Sequence, residues 1–221
     1  MAEAIPVYLE KGQRRVFAGA IEWPGWCRSA RDEASALEAL VTYGARYADA
    51  VRRAQRGFEP PSDVSQLKVV QRLKGDATTD FGAPGLAPKH DADEIDAREL
   101  ERLTALMDAA WTTFDAAAKK AQGLELRKGP RGGGRELDAI VDHVYAADEA
   151  YLRKLGGRAA KGADMKALRC EIREVFSKRA GGADPPRIPR SGKLWTPRYF
   201  ARRSAWHALD HAWEIEDRVK R

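Results

Sequence analysis

The hydrophobic period along this chain fixes the kind of fold open to it. Up to about residue 75 short strand-like apolar runs flank a single helical stretch, whereas from residue 94 onward apolar residues recur every three or four positions throughout. A period near two marks strands and a period near 3.6 marks helices with one apolar face. In the first part Val7-Tyr8-Leu9 leads into a polar turn over Glu10 to Arg15, and Val16 to Trp23 follows, which predicts a β-hairpin. After the turn-forming Pro24-Gly25, residues 32–56 place Ala36, Leu37, Leu40, Val41, Tyr43, Gly44 and Tyr47 at helical spacing. Pro60-Pro61 ends that helix, and Gln66 to Leu73 reads as a further strand.

The second part reads as four amphipathic helices, over residues 94–122, 136–155, 165–179 and 197–219. Asp164 is placed to cap the third, and Thr196-Pro197 supplies an N-cap and a first-turn proline for the fourth. Four such helices bury their stripes most simply as a bundle. Between the parts, GDATTDFGAPGLAPKHD has no period and reads as a linker. The expected architecture is therefore α+β with two domains: a hairpin, helix and strand module over 1–75, a linker over 76–93 and a four-helix bundle over 94–221.

Composition excludes several classes. Of 221 residues, 43% are hydrophobic and 33% charged, spread along the chain, which describes a folded rather than a disordered protein. No apolar run approaches the roughly 18 residues of a membrane span, and the first residues lack the pattern of a secretory signal, so a cytoplasmic protein with no membrane partner is expected. Cys27 and Cys170 cannot form a disulfide framework and fit a reducing compartment. The net charge of +6 arises almost wholly beyond residue 85, since residues 1–85 hold 12 basic against 11 acidic side chains. It concentrates in Arg127 to Arg135 and in Arg187 to Arg203, where Trp195, Tyr199 and Phe200 interleave six cations. Such a stretch can stack on single-stranded nucleic acid. No nucleic-acid module accompanies it, and the expectation is instead solvated arginines entering a helix with core aromatics. The glycines of RGGGR lack the spacing of a phosphate loop.

There are only four histidines. His207 and His211 lie four apart on the fourth helix, so both can reach one metal, and Glu214 falls on the same face. Glu214 is a candidate fourth ligand or an acceptor behind His211. His143 sits among Ile140, Val141, Val144 and Tyr145 of the second helix, where a buried imidazole needs either a hydrogen-bond partner or a metal. Three imidazoles from two helices suit Zn, Ni or Fe and leave a coordination position open for water or substrate. The alternative is that they are ordinary core or surface histidines, with His143 bonded to a carboxylate. Arg202 and Arg203, about a turn ahead of the pair, are candidates to guide an anionic co-substrate. His90 is expected to be exposed in the linker, Asp148 and Glu149 to be surface charges, and Cys170 to be a small core residue. No residue is assigned a catalytic role.

Two resemblances add to this reading. VYLEKGQRRVFAGAIEWPGW followed by SALEAL resembles the HicB-like antitoxin domain, a degenerate RNase H-type fold with a hairpin, a Pro-Gly corner and a helix. The adjacent DNA-binding tail of the antitoxins is missing, which departs from their operator binding and toxin neutralisation; a protein or RNA partner is the interaction the module would have. LDAIVDHVYAADEAYL with His143, and RYFARRSAWHALDHAWEIEDR with His207 and His211, resemble the DinB-like superfamily. That resemblance implies an up-down-down-up bundle, frequently a homodimer, that binds one divalent metal through those three histidines. It further implies activation of a low-molecular-weight thiol such as bacillithiol or mycothiol, or of water, towards a small-molecule electrophile. The expected function is a DinB-like transferase or hydrolase. The competing expectation is a non-enzymatic interaction protein, toxin-antitoxin-like or nucleic-acid-binding, acting through the first module and the basic loops.

Overall fold

Seven α-helices and one four-stranded sheet make up a computed structural model of the chain, in which residues 4–52, 54, 57–128, 134–187 and 193–220 are described. Strands β1 (Ile5–Lys11) and β2 (Val16–Ala20) form the expected antiparallel hairpin, with Leu9 opposite Ala18. A strand not anticipated, β3 (Cys27–Ala30), follows the Pro24-Gly25 corner and pairs with β2. Its sequence CRSA has no apolar alternation, so only its pairing defines it. The helix expected over 32–56 is two helices, α1 (Glu33–Thr42) and α2 (Gly44–Val51), broken at Tyr43. The break carries the Tyr43 ring to Trp213, 5.1 Å away. Strand β4 (Leu67–Lys74) then lies parallel to β1, giving the order β3-β2-β1-β4.

Both faces of the sheet centre are covered. Val7, Leu9, Val16, Ala18 and Ala20 join a core with Ala36 and Leu40 of α1, while Phe17 and Cys27 on the opposite face meet Trp206. Gly19 is required there, because a Cβ would come within 2.6 Å of the Tyr8 ring.

The stretch expected to be a featureless linker is structured. It forms α3 (Ala77–Phe81), with a capping box on Asp76, and a 3-10 turn over Lys89–Ala92. Buried Glu10 of β1 accepts from the Thr79 hydroxyl and from the amides of Gly85 and Leu86, which fastens the segment to the sheet.

The four long helices are α4 (Ala97–Ala121), α5 (Leu137–Leu155), α6 (Met165–Ala180) and α7 (Pro197–Arg218), within a residue or a few of the periodicity limits. Asp96, Asp164 and Thr196 cap three of them. Contacts fix their order around the bundle as α4, α7, α5, α6. Arg198 pairs with Glu99 at the start of α7 and α4, and Leu126 bridges to Val219 beyond their ends, so these two helices run the same way. His143 meets His207 while Tyr151 meets Arg203, so α5 runs opposite to α7. Asp115 and Asp108 of α4 pair with Arg169 and Arg173 of α6, so α6 runs opposite to α4. The first and fourth bundle helices thus point one way and the second and third the other.

Helix α7 departs from the amphipathic expectation. Fifteen of its residues are buried, Arg202, Arg203, Ser204, His207 and His211 among them. The other bundle helices cover one side and the sheet covers the other, so one hydrophobic core runs through both parts of the chain. A helix buried all round must find partners for every polar side chain it carries, and that requirement organises the site.

Candidate metal centre

His143 of α5 and His207 and His211 of α7 converge. One ring nitrogen from each lies within 4.8 Å of the other two. His143 Nε2 and His207 Nε2 are 3.2 Å apart, and the ring centres of all three pairs are between 4.6 and 5.0 Å apart. The four-residue gap in α7 stacks two imidazoles on one face, and the antiparallel crossing of α5 brings the third opposite them. His207 and His211 are buried and His143 is half-buried.

The arrangement suits a divalent cation. A single N–H···N contact satisfies at most two of the three facing nitrogens. Imidazole nitrogens bound at about 2.0 to 2.1 Å around a tetrahedral ion stand roughly 3.3 Å apart, close to the 3.2 Å seen here. Burial, helped by the neighbouring His211 charge, holds His143 below the ordinary imidazole value and His207 well below it. Both rings are therefore neutral near pH 7 and keep the lone pair that a metal needs. Borderline metals such as Zn, Ni or Fe suit imidazole nitrogens.

Behind the histidines, Glu214 Oε2 lies 2.7 Å from His211 Nδ1. The hydrogen bond from His211, first, and the Arg218 guanidinium hold the Glu214 carboxyl below its ordinary range. An ionised Glu214 fixes the proton of His211 on Nδ1 and turns Nε2 toward the other rings. The geometry puts Glu214 in the role of acceptor behind His211, with its second oxygen bonded to Arg218 Nη1 at 2.6 Å.

The two candidate anion contacts separate. Arg202 points away from the histidines and is consumed in the interior, as set out below, while Arg203 lies against Tyr151 and Trp206 beside His207. Other expectations need correcting. Asp148 is buried, not a surface charge, and faces Arg169; Glu149 does sit near the surface, paired with Arg153. Cys170 is exposed rather than part of the core. His90 is half-buried, with Nδ1 at 2.9 Å from Asp93 and Nε2 at 3.3 Å from Glu22. Of the basic stretches, residues 129–133 and 188–192 lie outside the described residues. Within the rest of the second stretch, Tyr199 and Phe200 are buried and Trp195 packs on Tyr151 and Tyr199. Arg218 and Tyr151 escaped the sequence reading. Arg218 stands four residues after Glu214 and could have been found by helical spacing, whereas Tyr151 is joined to the site only by the crossing of α5 and α7.

No family model, no curated protein and no solved structure matches this chain. Among the described residues, no helix is long and apolar enough to cross a membrane.

Proposed function

We propose that the chain is a DinB-like divalent-metal protein joined to a HicB-like module, and that the metal is held by His143, His207 and His211. The observation that carries this reading is the convergence of three imidazoles from two antiparallel helices. The order and direction of the four bundle helices support it, as does the β3-β2-β1-β4 sheet with its parallel last strand for the first module. The metal, when bound, supplies Lewis acidity that lowers the pKa of a bound thiol or water. The chain's own contribution is to keep His143 and His207 unprotonated by burial and to orient His211 through Glu214. On this reading the substrate is a small electrophile, and the protein acts as a thiol transferase or hydrolase.

The test is metal analysis of the untagged full chain after incubation with Zn²⁺ and dialysis. About one ion per chain is expected for the natural sequence, as for a three-ligand site. For His207→Ala, less than about 0.3 ion per chain is expected, with helical content unchanged in circular dichroism. Equal zinc content in the two proteins, or none in either, would overturn the reading.

A further inference from the structure

Arg202 and Arg203 are consecutive and almost equally buried, at 5% and 7% exposure, yet their surroundings differ. Arg202 is fully compensated. Its Nε and Nη2 bond to Asp91 at 2.7 to 3.2 Å, and Nη1 and Nη2 also donate to the carbonyls of Ala20 and Ile21. Arg203 makes one hydrogen bond, from Nη2 to the Tyr151 hydroxyl at 3.1 Å, and its buried Nε and Nη1 find no partner among the described residues. Its guanidinium carbon stands 4.8 Å from the ring centre of Trp206 and 5.4 Å from that of Tyr151. The nearby carboxylate that senses its charge, Glu10, has its oxygens bonded to Thr79, Gly85 and Leu86.

A buried guanidinium with two free donors and no carboxylate in contact is costly unless an anion completes it. Here the incomplete cation adjoins the histidines. The Tyr151 ring stands edge-on to His207 at 5.7 Å, and Trp195 packs on Tyr151 at 4.9 Å. His143, Tyr151 and Trp195 keep partial exposure.

We propose that Arg203 and Tyr151 bind the carboxylate of a small ligand whose remainder reaches across the three-histidine centre, so that the substrate class is an aromatic or apolar carboxylic acid. The free Nε or Nη1 of the planar fork, together with the second N–H of Nη2, offers a carboxylate two parallel hydrogen bonds, which a lysine could not reproduce. The Tyr151 hydroxyl, accepting from Arg203, has its own proton free to donate to the same carboxylate. Walls of Tyr151, Trp195 and Trp206 suit an apolar body. This inference rests on the metal reading for what lies at the far end of the ligand, but the carboxylate anchor stands on Arg203 and Tyr151 without it.

Benzoate is the probe, with neutral benzamide as control, titrated calorimetrically into the full chain at constant ionic strength, both metal-free and Zn²⁺-loaded. Benzoate binding is expected, with benzamide inert. Arg203→Gln is expected to weaken benzoate at least about tenfold and Tyr151→Phe about threefold, in line with loss of a charged and a neutral hydrogen bond. Both variants should retain the zinc content of the natural sequence. Should Arg203→Gln fail to fold by circular dichroism, Arg203→Lys, which keeps the charge and loses the fork, takes its place with the same expectation. Benzoate binding unaffected by the substitution, or no benzoate binding by the natural sequence, overturns the proposal. Zinc binding with benzoate indifferent sinks the anchor and leaves the metal reading intact. Arg203-dependent benzoate binding without zinc binding does the reverse.

Discussion

Glu214 takes the Nδ1 side of His211 at 2.7 Å and is itself held by Arg218 at 2.6 Å, a relay of three side chains on consecutive turns of α7. Because the carboxylate is ionised and half-buried, it sets both the tautomer and the angle of the ring in front of it. Outer partners of this kind are worth about 10- to 100-fold in metal affinity. Glu214→Gln is therefore expected to weaken zinc about tenfold or more in competition with a chelator, while the ion count at saturation stays at one. Affinity within about twofold of the natural sequence would show that Glu214 orients nothing. The same relay illustrates what sequence spacing conveys at this scale. His211, Glu214 and Arg218 follow one another at +3 and +4, so their contact was legible. Their hydrogen-bond directions were not, because these depend on which side of His211 the other two rings occupy.

Among the elements, α5 shows most clearly how a helix face is decided by its neighbours. Asp148 lies on the turn after Val144 and points inward, 3.7 Å from Arg169 Nε, with neither carboxylate oxygen hydrogen-bonded among the described residues. In isolation its place among Ala147, Asp148 and Glu149 resembles a solvated edge. Only the position of α6, which brings Arg169 alongside, makes it interior. Burial pushes the Asp148 carboxyl up to about 7, against the pull of Arg169. An unfolded aspartate titrates near 4, so between about pH 4 and 7 the folded chain binds the extra proton and stability falls as pH rises, by at most about 1.4 kcal/mol per pH unit. Asp148→Asn cannot titrate. Its urea midpoint is expected to drop less between pH 5 and 8 than that of the natural sequence, and parallel pH profiles for the two proteins would contradict the assignment. Helix α7 makes the complementary point. Its limits followed from Thr196-Pro197 and its period, but burial on every side followed from the sheet packed against it.

Across the whole molecule, Arg202 joins three regions through Asp91 and the carbonyls of Ala20 and Ile21: the bundle, the segment over 76–93 and the sheet. Arg46 adds a peripheral tie, from α2 to Glu216 and Asp217 of α7. Removing one partner of a buried pair costs about 3 to 5 kcal/mol, because the other charge is left uncompensated. Asp91→Ala is expected to destabilise the chain by that amount in urea unfolding. In the natural sequence, with one core shared by sheet and bundle, tryptophan fluorescence and circular dichroism should report a single coincident transition. Two separated transitions would mean that the sheet module unfolds on its own.

Local sequence set the change of pattern between residues 75 and 94, the four bundle helices with the caps at Asp164 and Thr196, the hairpin and its Pro-Gly corner, and the pairing of His207 with His211. All of these are set by contacts within a few residues, where period, capping chemistry and turn residues act directly. Tertiary structure alone decided the β3 strand, the break at Tyr43, the folding of the expected linker, the interior place of Asp148 and the opposite roles of Arg202 and Arg203. Each of those depends on a partner outside its own segment: β2 for β3, Trp213 for Tyr43, Glu10 and Arg202 for the linker, Arg169 for Asp148. Two adjacent arginines carry the same local signal, and only the surfaces that close over them make one a structural staple and leave the other with donors to spare.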